Sequence, residues 1–295
     1  MNKVAVLGTG KMGGAIARRL KSGGFDISVW DRTRSKAEAL HVGPVVDSPA
    51  EAARQADVLV TMVTGPQALH DVYFGPTGVF AAGAEATIVD MSTVGPAAAQ
   101  ELADAAELKG VKLVEAPVVG SIPAVNSGTL LILAGTALVE DLEAVRPVLQ
   151  QLGEVHYVGD VASAAALKLV ANSFLGIVSA GAAELMAAGR AQGLDPQQVF
   201  TLLSRVAPGL KVREAGFVRN IYEPPMFAVR DILKDLDLAL ALYQRAPGVH
   251  SRVPLTAMTR ELFAEVAARV PDLDISAVVT AYSTDRTALV KELAS

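Results

Sequence analysis

The sequence predicts an α/β chain in which a doubly wound, mainly parallel sheet is followed by an all-α domain. Three observations carry this. From residue 3 to about 158, short Val/Ile/Leu-rich runs alternate with amphipathic segments, the pattern of strands covered by helices on both faces. After Gly159 the strand pattern stops and long helical stretches follow. A glycine-rich hexad joins the first apolar run to the first helical segment. With 295 residues the chain has room for two ordinary domains, each able to bury a core unaided. The change of periodicity sets their expected bounds at 1–161 and 162–295.

Taken in order, the strand-like runs are KVAVLG, DISVW, DVLVTMV, ATIVDMS, VKLVEAP, TLLILAG and VHYVGD. Each is short, rich in Val, Ile or Leu, and bounded by turn-forming or charged residues. Between them, Lys11 to Lys21, Pro96 to Lys109 and Val139 to Gln151 repeat apolar residues at helical spacing,. In the second half, helices are expected near 161–192, 196–204, 209–220, 228–245, 252–268 and 275–282. The opening MNKVAVLGTG reads as a first strand and lacks the small-residue cleavage site of a signal peptide. A cytoplasmic location is the matching expectation.

Composition narrows the function. The chain has no cysteine, so thiolate catalysis, disulfides and Cys-ligated metals are excluded. Its formal charge of -5, without a basic run, argues against a nucleic-acid surface and for a small-molecule partner. His41, His70, His156 and His250 show no metal-ligand spacing,. No G-x-S-x-G marks a hydrolase nucleophile. Residues 162–183 carry Lys168 as their one formal charge, and that length of apolar chain would span a bilayer. A lysine and Asn172 at mid-depth, many small residues and no basic flank argue against it,. A helix buried between domains or subunits explains the run better, with a homodimer or homotetramer as the expected assembly.

Gly8-Thr9-Gly10-Lys11-Met12-Gly13 follows the VAVL run and opens a helix. In a dinucleotide turn the first glycine permits the tight bend, the second lets backbone N–H groups approach a pyrophosphate, and the third lets helix and strand pack closely. Phosphate then sits at the helix N-terminus, where N–H groups and dipole favour anions. Asp31 closes the second strand, where an acidic residue accepts hydrogen bonds from ribose hydroxyls and favours NAD. It is followed by Arg32, Thr33, Arg34, Ser35 and Lys36, cations and hydroxyls suited to a 2'-phosphate. This cluster tilts the cofactor toward NADP(H), with NAD(H) remaining open.

AALKLVANSF, residues 165–174, is apolar except for Lys168, Asn172 and Ser173. Four residues apart on a helix, Lys168 and Asn172 share a face one turn apart. Hydride transfer to a carbonyl builds negative charge on oxygen, which a lysine ammonium both stabilises and protonates. Desolvation would bring such a lysine's pKa nearer working pH. Asn172 has an amide to hold either the ammonium or the substrate oxygen. The bland alternative is a lysine that reaches past the helix to solvent. Lys234 and Asp235 stand among leucines, as a surface ion pair or as a lysine kept cationic by its neighbour. Ser92, beside Thr93, reads equally as a cofactor contact or as a helix cap before Pro96. Nothing selects Arg213, Arg219 or Arg230 as a substrate clamp.

Together VLGTGKMGGAIARRL, WDRTRSK, DMSTV, EAPVVGSIPAVNSGTLLILAG, LKLVANSFLG and FAVRDILKDLDLALAL resemble, in order and spacing, the β-hydroxyacid dehydrogenase family. The similarity spans essentially the whole chain and is greatest to the 3-hydroxyisobutyrate dehydrogenase-like glyoxylate and succinic semialdehyde reductases. It implies a Rossmann domain followed by a helical domain, with the active site in the cleft between them. It implies Lys168 as the catalytic lysine and Asn172 as its companion, and Thr93 and Lys234 as cofactor contacts. Val119, Gly120 and Ser121 then belong to the substrate loop, of which Gly120 and Ser121 match the part that binds a carboxylate.

The chain departs from the family at three places. Pro117-Val118-Val119-Gly120 replaces P-V-S-G, which removes a serine hydroxyl from the substrate loop. The glycines of G-x-G-x-x-x-K are replaced by Ala162 and Ala164, whose methyls would narrow a close backbone approach. Asp31 stands where NADP-using relatives often have asparagine. The expected activity is therefore an NAD(P)-dependent oxidoreductase acting on a small aldehyde, keto acid or β-hydroxyacid. An imine reductase suits a less polar pocket but usually lacks the lysine. A non-catalytic cofactor-binding oligomeric module has no evident use for Lys168 with Asn172.

Overall fold

Apolar runs without polar alternation demand cover on both faces, and the first half of the chain supplies it. The computed structural model describes residues 2–81, 83, 86–244 and 252–282. In chain order the elements are β1 (Lys3–Leu7), α1 (Lys11–Ser22), β2 (Asp26–Trp30), α2 (Arg34–Glu38), α3 (Pro49–Gln55), β3 (Val58–Thr61), α4 (Pro66–Phe74), β4 (Thr87–Asp90), α5 (Gly95–Leu108) and β5 (Leu113–Glu115). There follow β6 (Val118–Val119), α6 (Ile122–Ser127), β7 (Leu130–Gly135), α7 (Val139–Gln150), β8 (Gly153–Gly159), α8 (Val161–Ala191), α9 (Pro196–Val206), α10 (Glu214–Arg219), α11 (Val229–Gln244) and α12 (Pro254–Ala267). The last residue of the helix expected at 228–245, His250, and residues 283–295 of the expected second domain lie outside the described residues.

The sheet runs β2-β1-β3-β4-β5-β7-β6, with β8 beside β7. Strands β1 to β5 pair in parallel, β7 meets β5 and β6 antiparallel, and β8 is parallel to β7. This is the expected doubly wound, mainly parallel sheet. Because β1 is flanked by β2 on one side and β3 on the other, the turn after β1 lies at the switch point, where such sheets open a ligand crevice. The sequence reading missed β6. Two residues are too few to show a period, and Val118 and Val119 become a strand only by pairing with Ile132 and Leu131.

Alternate strand residues serve opposite faces, as the pleat requires. Val4, Val6, Val60 and Val89 pack with Ile16 and Leu20 of α1 and Leu142 and Val145 of α7. Leu7, Leu59, Ile88 and Leu113 pack on the other face with Tyr73 of α4, Leu102 of α5, and Val161 and Ala165 of α8. Each fully buried Leu or Ile contributes about 1.5–3 kcal/mol, so reversing one strand's register would forfeit several such terms.

The chain divides into two compact units, Met1–Leu169 and Val170–Ser295, and the division falls within α8. The boundary expected from periodicity coincides with the start of this helix. Among its described residues the second unit contains helices and one isolated bridge, Ala228 to Asp274. Its core gathers Met186, Phe200, Phe217, Ile232, Leu236 and Phe263. The helix expected over 209–220 is a 3-10 turn, Pro208–Arg213, followed by α10. Proline and glycine at its start, both poor in helix interiors, tighten that first turn. Ile275–Tyr282 is likewise 3-10, consistent with β-branched Ile275, Val278, Val279 and Thr280 disfavouring a regular α-helix. By length and composition α8 would cross a bilayer, yet Val161, Ala165, Ala182, Ala183 and Met186 are spent in the two units' cores.

Candidate active site

The glycine turn separates its three glycines by task. Gly8 has φ 91°, and a Cβ there would stand 2.3 Å from the Met62 carbonyl oxygen. A Cβ on Gly13 would stand 1.9 Å from the Gly8 carbonyl oxygen, so α1 packs on the turn without room for a methyl. Gly10 caps α1 and has nothing within 4 Å of its missing side chain. Only there does absence of a side chain leave open space, and Lys11, Met12 and Gly13 supply the first-turn N–H groups that face such a space. The cradle fits the pyrophosphate of a dinucleotide.

Asp31 stitches this turn to the end of β2. Its Oδ2 accepts from the Thr9 N–H at 2.8 Å and the Thr9 hydroxyl at 3.0 Å, while Oδ1 accepts from the Thr33 N–H at 2.8 Å. Three donors therefore already occupy the carboxylate expected to meet a ribose. In the basic cluster, Arg34 is engaged by Glu38 at 2.8 Å and Asp47 at 2.5 Å, and hydrogen bonds to both acids raise its pKa. Arg32 and Thr33 remain exposed, and among the described residues no ion pair engages Arg32.

Beyond β4, Ser92 is buried and braces two loops. Its hydroxyl donates to Asp90 Oδ1 at 2.7 Å and accepts from the Val63 N–H at 2.9 Å. It does not cap α5, whose N-cap is Val94. Thr93 follows, half-buried. In the substrate loop Val119 is half-buried at the end of β6, and Gly120 adopts φ 139° with Leu130 2.7 Å from where a Cβ would lie. Ser121 precedes α6 and its side chain makes no capping bond. Ala164 is fully buried, and a Cβ on Gly135 would fall 2.8 Å from its methyl and 2.2 Å from the Asp160 carbonyl oxygen. β7 and the start of α8 therefore meet at Gly135 without room for a methyl on the strand side.

Lys168 is 9 % and Asn172 5 % exposed, on one face of α8. A lysine that merely escaped to solvent would expose its tip; this one is buried. Asn172 donates from Nδ2 to Asp235 Oδ2 at 2.5 Å, and Asp235 Oδ1 lies 2.8 Å from Lys234 Nζ. Asp235 is 2 % exposed while Lys234 is about one-quarter exposed, so the surface-pair reading is corrected. With its amide nitrogen held by Asp235, the other polar atom of the Asn172 amide is a carbonyl oxygen, a hydrogen-bond acceptor,. Asp235 is the residue the sequence reading underrated. Ile232, Asp235, Leu236 and Ala239 are all buried, an i, i+3, i+4, i+7 stripe that already placed Asp235 among apolar neighbours. Arg213 is buried against Asp274 at 3.3 Å and Arg230 pairs with Asp272, so both are engaged, while Arg219 is exposed. Among the described residues no group of three or more His, Cys, Asp or Glu is placed to hold a metal.

Comparison with known proteins identifies the family. Residues 3–159 match the NAD-binding domain of 6-phosphogluconate dehydrogenase, and residues 162–282 match the NAD-binding region of NADP-dependent 3-hydroxyisobutyrate dehydrogenase. The chain is 32% identical to 3-hydroxyisobutyrate dehydrogenase of Pseudomonas aeruginosa over 96% of its own length and 99% of the relative's. It is 33% identical to glyoxylate/succinic semialdehyde reductase 1 of Arabidopsis thaliana, again over 96% and 99%. A solved structure of Psf3 in complex with NADP+ and 2-OPP superimposes with TM-score 0.83 and 27% identity, over 95% and 100% of the two chains. An imine reductase from Myxococcus stipitatus shares the fold at TM-score 0.62 and 21% identity, over 96% and 99%.

Proposed function

Because this chain belongs to the β-hydroxyacid dehydrogenase family and is an NAD(P)-dependent oxidoreductase, we propose that it interconverts a small aldehyde or keto acid and its hydroxy acid, with NADP(H) preferred. Glyoxylate and succinic semialdehyde are the model carbonyl substrates. When bound, a nicotinamide would supply or accept the hydride. Lys168 Nζ gives a proton to the carbonyl oxygen during reduction and takes it back from the alcohol during oxidation, balancing the hydride. The Asn172 carbonyl oxygen orients that ammonium or the substrate hydroxyl, because Asp235 holds its amide nitrogen. The loop Val119–Gly120–Ser121 receives the substrate's far end. Gly8, Gly10, Lys11, Met12 and Gly13 cradle the pyrophosphate, Thr93 and Lys234 contact the cofactor, and Arg32 and Thr33 meet the 2'-phosphate. Asp31, engaged by Thr9 and Thr33, organises the turn.

The observation that carries this reading is the buried Lys168–Asn172 pair with Asn172 locked by Asp235. We place the protein in a homodimer or homotetramer on the support of Leu167, Val170, Phe174 and Leu185, large apolar side chains of α8 left 43%, 50%, 68% and 51% exposed. Oxidation of NADH and NADPH, each against glyoxylate, succinic semialdehyde, other keto acids and a cyclic imine, tests the assignment. Turnover of the semialdehyde or keto acids with NADPH is expected. Turnover of the imine alone would replace the reading with an imine reductase, and binding of NADPH without turnover of any member would make the chain a non-catalytic module.

A further inference from the structure

The apolar sheet face formed by Leu59, Ile88 and Leu113 ends, two residues further along each strand, in Thr61, Asp90 and Glu115. Register pairs Thr61 with Asp90 and Asp90 with Glu115. Residues in register on neighbouring parallel strands point to one face, so the three form a polar row. All three are fully buried. Thr61 Oγ1 lies 2.6 Å from the Tyr73 hydroxyl, which reaches the row from α4. On the far side Glu115 pairs with Gly135 of β7, which brings no side chain. From α8, Val161 and Ala165 enter the same cluster, and Lys168 follows on their helical stripe.

Asp90 and Glu115 are placed differently within this row. Asp90 Oδ1 accepts from both the N–H and the hydroxyl of Ser92, at 3.2 and 2.7 Å. Neither oxygen of Glu115 meets a hydrogen-bond donor among the described residues. An ionised Glu115 would be a desolvated charge beside a second carboxyl, which is among the costliest arrangements available to a side chain. A carboxylic acid there needs one acceptor, and Asp90 stands directly across the ladder. Burial first, and then the neighbouring Asp90, push Glu115 well above the ordinary carboxylate range. Burial and the same acids also hold the Tyr73 hydroxyl protonated.

We propose that Glu115 is a neutral carboxylic acid whose proton is shared with Asp90, and that this pair is the positioning element of the loops that follow β3 and β4. The shared proton lets Asp90 remain the acceptor that holds Ser92. Ser92 in turn holds the Val63 N–H, so one buried acid pair sets both loop backbones and the approach to Thr93. Those loops lie at the C-terminal ends of parallel strands, where dinucleotides are received. The part of this proposal that concerns cofactor rests on the reading above; the part that concerns the proton does not.

Infrared difference spectra of the full-length protein, wild type minus Glu115→Gln at neutral pH, test the proton directly. A protonated-carboxyl carbonyl band that disappears in the variant is expected, and a carboxylate band in its place would overturn the proposal. NADPH titration by fluorescence tests the positioning. Glu115→Gln, neutral and able to donate to Asp90, is expected to bind within about twofold of wild type. Glu115→Leu, which removes the donor, is expected to bind about tenfold more weakly with the fold retained by circular dichroism. Equal binding by the Leu variant, or a tenfold loss in a folded Gln variant, would overturn it. Failure of wild type to bind either NADPH or NADH would sink the cofactor reading instead, while the infrared result still decides the proton.

Discussion

The glycine turn and the α8–α11 contact hold polar groups by opposite means. At the turn, backbone does the work: Gly8 supplies the bend, Gly13 the close packing, and Gly10 the open space at a helix end. Between α8 and α11, side chains do it, with Asn172, Asp235 and Lys234 joined inside otherwise apolar helices. A backbone site is written in nearly consecutive residues, and at Gly8 and Gly13 it leaves no room for an added methyl. A side-chain site is assembled from residues 63 positions apart and depends on each partner satisfying the next.

Adding a methyl at two glycines separates packing from binding within the turn. Gly13→Ala forces a Cβ against the Gly8 carbonyl, an overpacking that costs about 1–3 kcal/mol. It is expected to lower the melting temperature and weaken NADPH binding up to about 100-fold by the corresponding free energy. Gly10→Ala meets no protein atom. It is expected to weaken NADPH binding while leaving thermal unfolding almost unchanged, and calorimetry alongside fluorescence titration reads both.

Asp235→Ala carries the comparison to the side-chain site. The buried Asn172 amide and its neighbour Lys234 lose their acceptor, a deficit of about 1–3 kcal/mol for an unsatisfied buried donor. Turnover is expected to fall about tenfold or more because Asn172 is released to rotate. Asp235→Asn, which preserves an acceptor for Asn172, is expected to recover part of that loss in steady-state kinetics.

The smallest effect concerns the start of α8. Asp160 accepts from the Ser163 N–H at 2.7 Å, and the Ser163 hydroxyl and N–H hold its pKa below the usual value. A depressed folded pKa means that this stabilisation is present above the unfolded value and is lost as pH falls through the folded one. Asp160→Ala is expected to cost about 1 kcal/mol at neutral pH in urea unfolding. The difference from wild type is expected to vanish below the carboxylate range, with turnover at neutral pH unaffected.

Much of this arrangement was legible in the sequence because it is local. The hexad beginning at Gly8, the seven apolar runs and the four-residue spacing of Lys168 and Asn172 each need only neighbours along the chain. The two-residue β6 was not legible, because Val118 and Val119 become a strand only when β7 lies beside them. Ser92 looked like a cap because Pro96 follows, yet its partners are Asp90 and Val63, the latter 29 residues away. Asp31 read as a ribose acceptor, and only the folded turn brings Thr9, 22 residues earlier, onto its carboxylate. The close packing of Gly135 against Ala164 was hidden for the same reason.

In the proposed reaction the buried Lys168 moves the proton while the rest of the site binds and orients. Steady-state kinetics of Lys168→Ala with glyoxylate and succinic semialdehyde, paired with NADPH titration, measure it most directly. Turnover at least about 100-fold below wild type is expected, with NADPH affinity within about twofold. A variant that reduces either carbonyl as fast as wild type would contradict it.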